Sequence, residues 1–316
     1  MTMIRNTNAL GNVGWMSSVI FIAAMCHAAP AAKSDFKADA YLIEKDGRST
    51  KVELVAATRT SARYRIPGGS KDVLDFVLQD GATVFVCEPS DFAAAMDLFR
   101  ARKYAEARVR FVAVKERYRP IEGLEDSVST LGAFYEKECL RKEGDLEGLA
   151  AALQKFSNGP LSREDQARQL ELYVFWDAVR TKSWERLDAM AKERANMRLP
   201  GSQRAQIAYC HGLALENLGR HDEALISFNV AITADAGASE EITRQAALRI
   251  LGIYHQDPDI GLAMKLRKSG QDVVSPKTAR KLAAAEAMAN LFRLCLGAGA
   301  SLPAEFQVFL KADVGK

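Results

Sequence analysis

Residues 209–235, "YCHGLALENLGRHDEALISFNVAITAD", set small residues at Gly212, Gly219, Ala224 and Ala231 among long apolar ones. Gly212 and Leu215 fall on one side of a first helix. Gly219-Arg220 ends it, glycine being the residue that most easily adopts the left-handed conformation a helix stop requires. Asp222 and Glu223 open a second helix, where carboxylates favour the positive end of the helix dipole. Ala224, Phe228 and Ala231 then recur at intervals of four and three, which marks one face of that helix. Small residues suit a close crossing of two antiparallel helices, and Phe228 is expected to fill the wedge beside it.

The plan recurs along the chain. Residues 92–120 give Ala107, Phe111 and Val114 on a second helix, with Pro120 behind it. Residues 129–156 give Leu131, Gly132 and Tyr135, then Leu149 and Leu153. Residues 169–193 give Trp184, Leu187 and Ala191. Residues 246–266 give Gly252, then Leu262 and Leu266. The second-helix anchors Ala107, Leu149, Leu187, Ala224 and Leu262 are spaced 42, 38, 37 and 38 residues apart. A helix pair cannot bury its apolar face alone, so such pairs stack into a continuous core with covered ends. "ARKLAAAEAMANLFRLCLG", within a final helix from Thr278 to Leu296, reads as one cover. A short tail helix is expected around Phe306 to Lys311.

The helix pair at 209–235 resembles a tetratricopeptide repeat. The likeness lies in the glycine of the first helix, the glycine at the turn and the alanine–aromatic–alanine face of the second. Ala208, His211 and Ala236 stand where the family has tryptophan, leucine and proline. The family period is about 34 residues, and longer two-helix repeats run to the forties. The resemblance implies a solenoid whose first helices line a concave face that grips a peptide or partner helix. It places Gln169, Leu172, Trp176 and Arg180 of the third pair on that face, with Gln206, Tyr209, Leu213, Glu216 and Asn217 of the fourth. Packing between repeats is the competing role for Leu172 and Trp176. The family's lysine/arginine and asparagine clamp for a peptide carboxylate has no matching set here.

Ahead of the helices, residues 38–88 alternate apolar and polar. "ADAYLIEKDGRSTKVELV" reads as two strands with Asp46-Gly47 at the turn. "RTSARYRIP" makes a third, stopped by Pro67-Gly68-Gly69. "VLDFVL" and "ATVFVC" make two more, separated by Gln79-Asp80-Gly81. Five strands in so short a span predict a small antiparallel barrel or sheet, at the lower limit of independent stability. The expected fold class is therefore α+β. A signal peptide at 1–29 and a linker at 30–37 precede the β domain at 38–88, and a helical repeat domain follows at 89–316.

The signal reading rests on Arg5, the apolar run Val13 to Met25, and the small residues of "CHAAPAA". It implies export to a bacterial periplasm. A single membrane anchor and lipidation at Cys26 are the alternatives, and either would bring the chain to a membrane. Removing residues 1–29 takes one base and no acid from 43 bases and 40 acids, leaving a net charge of +2. That balance argues against a phosphate-binding surface built by bulk charge, though not against a local patch, and no nucleic-acid partner is expected. Cys87, Cys139, Cys210 and Cys295 lack metal-ligand spacing. The last three sit in apolar helical patterns and read as small buried hydrophobes.

No metal, cofactor or catalytic group is expected. His211 and His221 are not at a ligand spacing, and His221 is assigned a packing role. "HQDPD", with His255, reads as an interhelical turn. No Gly-rich phosphate loop follows a strand, and no GxSxG occurs. "GAGA" at 297–300 follows a helix and reads as its stop. Glu136 and Glu138, two apart, face different ways. The expected activity is non-catalytic, a scaffold for a protein or peptide partner. The alternatives are an adaptor that recognises its partner through the β domain, and an exported hydrolase. Homo-oligomerisation through a strand edge or a terminal repeat is a further expectation.

Overall fold

The computed structural model describes residues 36–78, 82–155, 161–194, 197–237, 239–271, 275–297 and 299–310. The signal segment with Cys26, residues 30–35 of the linker, the Gln79–Gly81 turn and Lys311 lie outside them.

All five expected strands form: β1 (Ala38–Ile43), β2 (Ser49–Ala57), β3 (Ser61–Arg65), β4 (Leu74–Val77) and β5 (Thr83–Val86). Gly47 turns β1 into β2 at φ +84°, in the left-handed region that glycine tolerates without steric cost. The sheet is antiparallel in the order β4-β3-β2-β1-β5, so it is an open sheet rather than a barrel. β5 returns beside β1, leaving β4 and β5 as opposite edges. Alternation sends Ala38, Ala40, Leu42, Val52, Leu54 and Ala62 inward and leaves Tyr41 and Phe85 paired on the outer face.

Helices follow: α1 (Ser90–Arg100), α2 (Tyr104–Arg117), α3 (Val128–Glu143), α4 (Leu146–Gln154), α5 (Glu164–Arg180), α6 (Trp184–Arg194), α7 (Gly201–Asn217), α8 (His221–Ala234), α9 (Glu240–Gln256), α10 (Pro258–Lys268) and α11 (Pro276–Leu291). The first ten are the five expected pairs. Gly201 lies against Ala234, and Gly212 against Phe228. Residue numbers therefore rise on α7 as they fall on α8, which makes the pair antiparallel. A Cβ added at Gly212 would stand 2.5 Å from Phe228 Cε1, and Ala224, Phe228 and Ala231 are fully buried. Gly132 makes the same kind of approach from α3, where an added Cβ would meet the Phe111 carbonyl oxygen at 3.1 Å. Each helix packs on the next, and α5 also packs on α7 and α7 on α9, so the pairs stack in sequence.

The inner face of the sheet shares one apolar cluster with Phe92, Ala95, Ala107, Phe111 and Val114. The core thus crosses the expected boundary at residue 88, and Phe36–Lys316 is one compact unit. This follows from size, because so small a sheet cannot bury enough area by itself. A second cluster runs from Leu140 through α5, α7 and α9 to Phe309.

Three packing expectations are corrected. Leu262 is 58% exposed, while Ile260 and Ala263 are buried in its place. Asp257 caps α10 and Pro258 starts it, which sets the inward face two residues earlier and one later. Cys295 is exposed, because α11 widens over Phe292–Leu296 and turns Phe292 and Leu296 inward instead. His221 is exposed at the first position of α8 and packs no core. The tail element is a tight helix at Ala304–Phe309, two residues ahead of the expected start, and it lays Phe306 and Phe309 against His255.

Candidate binding site

The nine residues that the repeat resemblance places on the groove face divide by burial. Gln169, Leu172 and Trp176 on α5, and Gln206, Tyr209 and Leu213 on α7, are buried. Gln169 and Gln206 exchange amide hydrogen bonds of 3.0 and 2.8 Å, and Trp176 Nε1 donates to Gln206 Oε1 at 2.9 Å. These side chains satisfy one another between two first helices, as buried polar groups must. The packing role weighed for Trp176 and Leu172 is the one the geometry gives them. Arg180 and Glu216 stay partly accessible, and Asn217 is exposed. Arg180 pairs with Asp177 at 2.8 Å and Glu147 at 3.3 Å, and Glu216 with Arg249 at 3.6 Å.

An ionic cluster that no sequence spacing announces fills the space beside them. Arg141 of α3 donates to Glu138 at 3.1 and 3.0 Å and reaches Glu241 of α9 at 3.3 Å. Lys142 donates to Glu241 at 2.8 Å, and Tyr173 of α5 donates to Glu138 at 2.7 Å. The Arg141 guanidinium also lies 5.7 Å from the Trp176 ring centre. Burial alone would push the Glu138 carboxyl up; the charge and hydrogen bonds of Arg141 outweigh it and hold it below its ordinary value. Glu241 is lowered in the same way by Arg141 and Lys142. The first helices of pairs two, three and five therefore converge on one buried set of charges. At this level the face that the repeat resemblance assigns to a groove is occupied by the protein's own side chains.

A second ionic set joins pairs three and four. Asp188 of α6 accepts from Lys192 at 2.7 Å, His211 at 2.8 Å and Arg220 at 2.9 Å. Burial opposes its charge, but the three donors together bring its pKa down to about 2.

A cavity of about 670 Å³ lies between α2 and α4, floored by α3. Gly123 touches the Thr58 backbone so closely that a Cβ there would stand 2.7 Å from Thr58 Cα. This contact brings the turn between β2 and β3, with Arg59, to the cavity mouth. Six cationic side chains line it (Arg59, Arg108, Lys115, Arg119, Lys137 and Lys155) against Glu116, Glu122 and Glu136. Lys115 is engaged by Glu136 at 2.7 Å and Arg108 by Glu143 at 3.2 Å. Arg59 and Lys155 form no ion pair among the described residues. Lys137 is buried, and its ammonium donates to the Ala133 carbonyl at 2.6 Å. Burial brings its pKa down to about 7. A faint sequence signal existed, because Lys137 sits four residues after Ala133 and three before Leu140, on one helical stripe.

A smaller cavity of about 350 Å³ lies near the α9–α10 turn, with His221, Asp222, Asp257, Asp259 and Lys281 around it. Asp257 is engaged there by Lys281 at 2.6 Å. Among the described residues, no three His, Cys, Asp or Glu side chains are grouped to hold a metal, and no helix is long and apolar enough to cross a membrane. No family model, curated protein or solved structure matches this chain.

Proposed function

We propose that this chain is a non-catalytic binding protein of the bacterial envelope, whose tetratricopeptide-like helix pairs hold a protein or peptide partner. The observation that carries the reading is a repeated packing module. Ala107, Phe111 and Val114 on α2, and Ala224, Phe228 and Ala231 on α8, occupy the same three positions of a second helix, and all are buried. Repeated helix pairs of this construction present extended surfaces suited to recognition. Buried ion pairs and amides occupy the inner face beside Trp176, so recognition falls to the accessible rim that Arg180, Glu216 and Asn217 share with Arg249. The location rests on the signal reading of residues 1–29.

One observation favours a second reading, the adaptor that recognises its partner through the sheet. The outer face leaves Phe85 59% exposed beside Tyr41, and both edge strands lack a described neighbour. Edges of this kind accept an added strand. Site-specific photo-crosslinking in intact cells separates the two readings without deleting the sheet, which shares its core with α1–α3. A crosslinker at Asn217 that captures one defined protein, lost on Arg180→Glu, supports the helical reading. Capture only from Phe85 supports the adaptor. Turnover of a substrate by the purified chain would refute both.

A further inference from the structure

The two edges of the sheet differ in how they are guarded. β4 carries Asp75 at an exposed position, and a charge on an edge strand keeps other strands away. β5 runs Thr83-Val84-Phe85-Val86 with no charge at all. Opposed residues of an antiparallel pair alternate between bonding each other and not. The Cys87 N–H donates to the Asp39 carbonyl at 2.9 Å, so Phe85 with Tyr41 and Thr83 with Ile43 are the next bonded pairs in register. Val84 and Val86 therefore turn their N–H and C=O groups to the open edge. Their side chains lie on the inner face and are only half-buried, while Phe85 stands exposed on the outer face.

We propose that β5 pairs antiparallel with β5 of a second copy of this chain, about a two-fold axis through Phe85. A free edge accepts an extended strand, and self-complementarity selects the copy. With the axis at Phe85, Val84 of each copy stands opposite Val86 of the other. The free backbone groups of both strands are then all satisfied by hydrogen bonds between the copies. Phe85 meets its counterpart on the outer face, flanked by Tyr41 of each copy, and aromatic cross-strand pairs are favourable. Val84 and Val86 carry the inner apolar cluster across the junction.

The charges agree with this register. No like charges stand opposite one another, since Glu88 of each copy faces Ala82 of the other. Glu88 also comes within about 10 Å, backbone to backbone, of Lys45 in the other copy's hairpin, two strand spacings away. Neither forms an ion pair among the described residues, and the neighbouring Glu44 and Asp46 are held by Arg48. The two-fold closes the assembly at two copies and leaves β4 outside it. Strands of four residues fall far short of the about 20–30 residues a side of a standard interface, so the dimer is weak, associating at roughly 10 µM to 1 mM. The helical rim is left free, so this inference and the scaffold reading can fail separately; the adaptor reading competes for the same edge.

The test is a disulfide trap on the full chain carrying Cys87→Ser and Cys295→Ser, which remove the accessible thiols. Phe85→Cys sets two thiols across the axis at a non-bonded pair, about 4.5 Å between Cα atoms and within disulfide reach. Thr83→Cys is also exposed, but its two copies lie about 14 Å apart along the strands. Under mild oxidation Phe85→Cys should form a covalent dimer at least about tenfold faster than Thr83→Cys. Phe85→Lys changes a solvent-facing side chain and opposes like charges, so it should sediment as a monomer where the parent associates. Mixing it with Phe85→Glu should restore the dimer, and Arg180→Glu should leave association unchanged. No association of the parent at about 1 mM would overturn the proposal. So would equal trapping at positions 83 and 85, or failure of the mixed variants to associate. Crosslinking in cells from Phe85 to a different protein, with the purified chain monomeric, would overturn it in favour of the adaptor.

Discussion

Replacing Gly212 with alanine adds one methyl group between α7 and α8. That methyl would stand 2.5, 2.6 and 2.9 Å from three ring atoms of Phe228. Ordinary carbon–carbon contact is about 3.5–4.0 Å, so the ring must retreat by about 1 Å. It has no solvent to retreat into, being fully buried with Tyr209 on one side at 5.9 Å between ring centres. Overpacking of this kind costs about 1–3 kcal/mol. Alanine also gains about 1 kcal/mol over glycine in a helix interior. Gly252 of α9 isolates the two effects, because an added Cβ there meets nothing within 4 Å. Gly252→Ala therefore gains the propensity term alone and should raise stability by about 0.5–1 kcal/mol. Gly212→Ala should fall below it by the overpacking term, about 1–3 kcal/mol, since the propensity gain is common to both. Urea unfolding of both variants, at unchanged slope, measures the difference. If Gly212→Ala matches or exceeds Gly252→Ala, the close crossing of α7 and α8 does not exist and the repeat reading fails with it.

Four further outcomes are expected. Arg141→Leu strands Glu138 in the interior and should cost about 3–5 kcal/mol, measured by urea unfolding; replacing Arg141, Glu138 and Glu241 together with apolar residues should recover most of it. Asp188 has its pKa lowered from 3.8 to about 2, so its contribution is complete above 3.8 and disappears as pH falls through about 2. By linkage it is worth roughly 2 kcal/mol, and Asp188→Asn should flatten that part of the stability–pH curve. Lys137 gives the same slope but as a cost: its folded pKa of about 7 lies below the ordinary 10.5, so the folded state binds fewer protons, stability rises with pH between those values, and the penalty is full below about 7. Lys137→Met should then unfold at higher urea than the parent at neutral pH, by about 1–4 kcal/mol. Thiol titration of the native chain should label Cys295 quickly, while Cys139, whose thiol burial pushes up to about 12, and Cys210 react only after denaturation.

Local pattern carried most of the architecture. Alternation with Asp46-Gly47 and Pro67-Gly68 places every strand, and the spacing of Ala224, Phe228 and Ala231 places the decisive helix pair with its inward face. The strand order was illegible, because bringing β5 back beside β1 is a long-range pairing that no neighbouring residue encodes. Leu262 was misplaced because a cap at Asp257 resets helical phase, and Cys295 because one widened turn does the same. The candidate site was the least legible part. Arg141 and Glu241 stand one hundred residues apart and meet only through the accumulated rotation of successive helix pairs. Lys137, inside "FYEKECLRKE", reads as one charge on a solvated helix, and only its stripe with Ala133 and Leu140 hints otherwise.

In a stack whose units touch only their neighbours, the ends fray first and the middle outlasts them. The bond between the end of α3 and the start of α9 skips two pairs, and Arg102, in the turn before α2, adds a second tie to Glu240. Such a stack is a riveted spring: tension at its termini loads the rivet before any single coil can open. The chain should therefore hold its length under strain and let go in one step, a rigid strut where a bare row of hairpins would stretch.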